Sequence, residues 1–110
     1  MNDIFSGPIL ELKEADLPFE GGKAYLSQSY DHQILFMQFE KDIPLNEHFH
    51  EAQWAVVLEG RIDLVIDGEA RTYTKGDRYY IPAGAKHSGH IYAGYADITF
   101  FNQSDRYKCK

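Results

Sequence analysis

A hydrophobic period close to two residues runs from about residue 33 almost to the end of the chain and breaks repeatedly at turn residues. Successive side chains of a strand point to opposite faces, so this pattern specifies short β-strands, and the frequent breaks specify antiparallel neighbours. Residues 34–39 read as one strand, followed by the turn-prone Lys41-Asp42-Ile43-Pro44, and residues 54–58 read as another, ended by Glu59-Gly60. Both runs are apolar on both faces, as strands covered on each side are. Ile62, Leu64 and Ile66 then alternate with Arg61, Asp63 and Asp67 up to Asp67-Gly68, a dipeptide suited to a type I′ hairpin turn, and residues 69–73 return. Further strands are expected at 79–81, 87–92 and 95–101, the last two joined by a hairpin at Ala93-Gly94. This makes seven or eight strands from residue 33, with one more at 23–29 and a weak helical candidate at 10–17.

A chain of 110 residues has room for one domain, and 44% hydrophobic with 15% aromatic content lies far from the disordered regime. The expected division is an N-terminal arm with the first strand over 1–32, a β-barrel over 33–103 and a tail over 104–110. A net charge of -6 with scattered Lys and Arg offers no footprint for nucleic acid or an anionic membrane. No basic, apolar leader opens the sequence and no run is long enough to span a bilayer, so the expectation is a cytoplasmic protein. Cys109, the single cysteine, excludes an intrachain disulfide and reads as a thiol on a frayed tail.

Four of the five histidines fall in two groups, His48-Phe49-His50 and His87-Ser88-Gly89-His90. Two residues apart on a strand, His48 and His50 can aim two imidazoles at one point, although a lone His-x-His is more often a pair of solvated or hydrogen-bonded histidines. His48-x-His50-x2-Gln53-x6-Gly60 is followed by Gly76-x5-Pro82-x-Gly84-x2-His87. Here the sequence resembles the cupin superfamily, described by Gly-x5-His-x-His-x3-4-Glu-x6-Gly and Gly-x5-Pro-x-Gly-x2-His-x3-Asn segments. The resemblance covers residues 43–91; the second segment matches through His87 and departs at Ile91, where the family has Asn. In the first, Gln53 stands at the Glu position, two residues after His50 where the family has three or four. Either a bulge brings His50 and Gln53 to one face, or a shifted register puts Asn46 and His48 at the two His positions.

The resemblance implies an all-β jelly roll, the double-stranded β-helix barrel of cupins. It also implies one divalent metal ion held by His48, His50, Gln53 and His87, with Fe, Mn, Ni, Co, Zn and Cu all compatible with the donors. Small cupins with Gln at this position resemble those of unsaturated uronate breakdown, and family habit implies a homodimer through the N-terminal segment. That segment carries the apolar Ile4, Phe5, Ile9, Leu10 and Leu12. An amide in place of a carboxylate leaves the ion's full double charge, favouring a small anionic ligand such as a sugar acid or organic acid. Asp97, polar on an otherwise apolar strand, and Tyr80, beside the second motif, are the catalytic candidates. Three functions remain open: metal-assisted isomerisation or tautomerisation, oxygenation at iron, and non-catalytic binding or sensing of a small molecule. His90 and His32 read as surface histidines, and Glu47 and Glu51 as solvated charge.

Overall fold

The computed structural model describes residues 4–110, and ten strands account for most of them. In chain order they are β1 (Lys13–Glu14), β2 (Gly22–Gln28), β3 (Gln33–Phe39), β4 (Ile43–His48) and β5 (Gln53–Glu59), then β6 (Arg61–Ile66), β7 (Glu69–Thr74), β8 (Arg78–Ile81), β9 (His87–Ile91) and β10 (Ala96–Phe101). They form a six-stranded sheet, β1-β2-β3-β10-β5-β8, and a four-stranded sheet, β4-β9-β6-β7. All pairings are antiparallel, as expected for a jelly roll.

The sheets face each other across one apolar core. Leu35, Met37, Phe39, Ala55, Val57 and Ile81 enter it from the larger sheet, and Ile43, Ile62, Leu64 and Ile91 from the smaller. β6 and β7 form the expected hairpin, with Asp67 itself in the left-handed region at φ 49°.

Three local expectations change. Ile43 and Pro44 open β4 instead of ending a turn, pairing with Ile91 and His90; proline is tolerated at the second residue of this edge strand. Ala93-Gly94 joins no hairpin, because β9 belongs to the four-stranded sheet and β10 pairs with β3 and β5 in the other, so the turn is a crossing between layers. The helical candidate at 10–17 is a 3-10 helix at Gly7–Glu11 followed directly by β1.

Both ends of the described segment are tied to the barrel. Phe5 is buried edge-on against Tyr25 and Phe36, on the outer face of the larger sheet. At the other end, Ala15 and Cys109 form a bridge, the Asp16 N–H donates to the Lys108 carbonyl at 2.7 Å and the Lys110 N–H to that of Glu14 at 2.9 Å. Cys109 is exposed, as expected, but on a fastened segment and not on a frayed one.

Candidate metal centre and cavity

His48 and His87 are cross-strand partners on β4 and β9. The register slips between Leu45, which faces Gly89, and His48, so three residues on β4 span two on β9. One extra residue is a β-bulge, and it turns His48 to the inner face that strict alternation from Leu45 would deny it. The bulge expected between His50 and Gln53 thus lies before His48. His50 follows the end of β4, in the loop that crosses to β5 in the opposite sheet.

That loop is fastened to the turn that delivers His87, since the Gly84 N–H donates to the His50 carbonyl at 2.9 Å. The turn closes through the Ala85 N–H and the Pro82 carbonyl at 3.1 Å, with Gly84 at φ 76°, the left-handed position that a type II turn reserves for glycine. The ligand atoms of His48, His50 and His87 all lie within 4.8 Å of one another.

Each imidazole is held the same way. Nδ1 lies 2.8 Å from the Asn46 carbonyl in His48, 2.7 Å from the Glu51 carbonyl in His50 and 2.9 Å from the Ala85 carbonyl in His87. A carbonyl only accepts, so Nδ1 carries a proton in all three, and in the neutral imidazole it is Nε2 that keeps the lone pair. Burial pushes the His50 imidazole down to about 4 and lowers that of His87, with the nearby Arg106 charge acting in the same direction. Neutral imidazoles with free Nε2 lone pairs are the form that binds a cation.

Gln53, the first residue of β5, lines the same cavity from the other sheet. Its Nε2 donates to the Thr99 hydroxyl at 3.1 Å, which leaves Oε1 as the atom available to a ligand. Three imidazoles and an amide oxygen fit a divalent ion, and the donor set contains no carboxylate.

The tail supplies a feature that sequence reasoning missed. Arg106 and Tyr107 line the cavity together with the histidines. They are held there by Gln33, whose fully buried amide donates through Nε2 to the Tyr107 carbonyl at 2.8 Å and accepts from the Tyr107 N–H at 3.0 Å. The Arg106 guanidinium lies 4.5 Å from the Tyr107 ring centre and 5.6 Å from that of Phe101. Among the described residues it makes no ion pair, and its buried Nε has no hydrogen-bond partner. A guanidinium without an ion pair, lining a cavity, offers an attachment point for an anion.

The profile of the cupin domain family matches residues 35–94, more than half of the chain. The chain is a cupin. No curated protein is similar to it in sequence at a significant level. Among solved structures, an RmlC-like cupin from Shewanella frigidimarina aligns over 96% of this chain and 95% of its own, with TM-score 0.75 and 22% identity. KdgF from Halomonas sp. aligns over 83% and 87%, with TM-score 0.69 and 19% identity. A variant of oxalate decarboxylase from Bacillus subtilis aligns over 84% of this cupin but 28% of its own length, with TM-score 0.69 and 23% identity. At these identities the likeness is one of fold.

The cavity of this cupin, about 470 Å³, continues along β10 from the level of the three histidines to Asp97. Phe101 faces Gln53 across the ladder, and Asp97 lies four residues back, about 13 Å along the strand at roughly 3.3 Å per residue. Asp97 is buried, and its Oδ2 accepts hydrogen bonds from the Tyr95 and Tyr79 hydroxyls, at 2.5 and 3.5 Å. Burial pushes its carboxyl up to about 7, against the pull of those two phenols, and raises both phenols well above their usual range. Oδ1 has no partner among the described residues.

Tyr80 does not reach this cavity. Alternation along β8 sends Tyr79 and Ile81 inward and leaves Tyr80 58% exposed on the outer face, so the tyrosine facing Asp97 is its neighbour. His90 points outward, where Nε2 pairs with Asp42 at 3.1 Å, and His32 bonds to Asp31 and stacks on Phe100.

Proposed function

We propose that this cupin holds one divalent metal ion with His48, His50, His87 and Gln53, and acts on a small anionic metabolite, a sugar acid or organic acid, by isomerisation or tautomerisation. The observation that carries the proposal is the pairing, in one cavity, of a carboxylate-free donor set with the unpaired Arg106 guanidinium. When bound, the ion supplies Lewis acidity that polarises a carbonyl or enolate oxygen. Arg106 binds and orients the anionic group, and the Tyr107 ring under the guanidinium limits how it can turn. Asp97, with its carboxyl near 7, is able both to take up and to return a proton at neutral pH, at the deep end of the cavity.

Unsaturated uronates are the first substrates to offer, given the small fold and the amide ligand, the two features by which the sequence resembles the cupins of uronate breakdown. Loss of their ultraviolet absorbance with metal-loaded protein, abolished by chelator, is the expected result. If the acids stabilise the protein against heat but are not turned over, the chain is a binding module and the enzymatic reading fails. Oxygen uptake by the iron-loaded form would move the reaction to oxygenation.

The homodimer belongs to the same proposal. Trp54 and Tyr80 are 43% and 58% exposed on the outer face of the larger sheet, and Ile34, Val56, Ile98 and Phe100 beside them are only half-buried. An apolar outer face next to the Phe5 arm suits a second copy of the chain. Light scattering should show a dimer for the parent and a monomer for Trp54→Lys; a parent that is already monomeric removes the proposal.

A further inference from the structure

Taking Gln53 as a metal ligand, as proposed above, we infer that Thr99 determines which end of the Gln53 amide faces the histidines, and is therefore a positioning residue of the centre. Thr99 is fully buried on β10, and its hydroxyl donates its single proton to the Trp54 carbonyl at 3.3 Å. With that proton committed, Oγ1 has only lone pairs to offer a second neighbour. It can accept from the Gln53 amino group, at 3.1 Å, and cannot donate to the amide oxygen. The NH2 end is thereby turned toward β10, and Oε1 is the end left to a side chain that lines the same cavity as the histidines.

Polarity of this kind matters for an amide and not for a carboxylate. A glutamate presents acceptor oxygen at either end, whereas a glutamine rotated by half a turn points two N–H donors at the site and repels a cation. A centre that uses glutamine therefore needs a neighbour that accepts and does not donate. The two successive hydrogen bonds, Gln53 to Thr99 to Trp54, make Thr99 that neighbour.

The test is a double-mutant cycle on the full chain, read by chelator competition for Co2+ and by the visible spectrum of the bound ion. Thr99→Val should weaken Co2+ binding by about tenfold when Gln53 is present and change the spectrum, and Thr99→Ser should restore both. In the Gln53→Glu background the same Thr99→Val change should cost less than about twofold. Thr99→Ala repeats the comparison with a smaller side chain, so a folding defect in one variant does not decide the outcome. An equal loss in both backgrounds would mean that Thr99 acts through packing alone, and no loss in the Gln53 background would remove its role altogether; either overturns the inference. A Gln53→Ala variant that binds Co2+ as tightly as the parent, with the same spectrum, overturns the ligand assignment itself, and the inference falls with it.

Discussion

His48 and His87 could be picked out through the family resemblance that their motifs carry, and the structure brings them together with His50. What spacing could not show was how each is aimed. The bulge ahead of His48 depends on its pairing with β9, about forty residues away. The choice between Tyr79 and Tyr80 rests on strand parity, and one residue of uncertainty in where β8 begins exchanges inside for outside. For the ligands, the expected outcome is direct. Purified His48→Ala, His87→Ala double variant should contain almost no divalent metal by elemental analysis when the parent prepared beside it contains close to one ion per chain. Equal contents would end the metal assignment.

Among the elements, the C-terminal segment departs furthest from what its sequence suggests. Residues 104–110 read as a tail because they carry no periodic pattern and end in polar residues. Their order comes from distant partners: Gln33 on β3, Gln28 bonded to the Ser104 carbonyl, and the Ala15 bridge. None of those contacts leaves a trace in local sequence. Likewise, β4 was obscured by Pro44 and by its polar second half, whereas the β6–β7 hairpin was legible because Asp67-Gly68 marks its own turn. Gln33→Leu tests the strap. It removes both hydrogen bonds to Tyr107 at a buried site, a loss of about 2–3 kcal/mol, and frees Arg106. Metal content should survive, while the stabilisation given by anionic ligands in a thermal melt should fall sharply. Unchanged ligand stabilisation would show that Arg106 is held by other contacts.

Across the whole molecule, two groups of titrating residues pull stability in opposite directions over the same pH range. The Asp97 carboxyl is raised from 3.8 to about 7, so the folded state gives up its proton late; the stability this contributes is complete below pH 4 and is lost as pH rises through 7, a swing of about 4 kcal/mol. The His50 imidazole is lowered from 6.5 to about 4, so the metal-free protein loses stability as pH falls through that interval. Urea midpoints of metal-free protein between pH 4 and 8 should therefore vary little in the parent. In Asp97→Asn, which keeps only the histidine contribution, they should rise steadily from pH 4 to 6.5. Parallel curves for the two proteins would show that Asp97 does not ionise late. The donors themselves are shared between layers, with His48 and His87 on the smaller sheet and Gln53 on the larger. An ion held by all of them is a staple through the sandwich, and its removal lets the two layers breathe apart at that end only. In hydrogen–deuterium exchange, chelator should quicken the amides of β4, β9 and the start of β5, and leave those around Asp97 at their original rate.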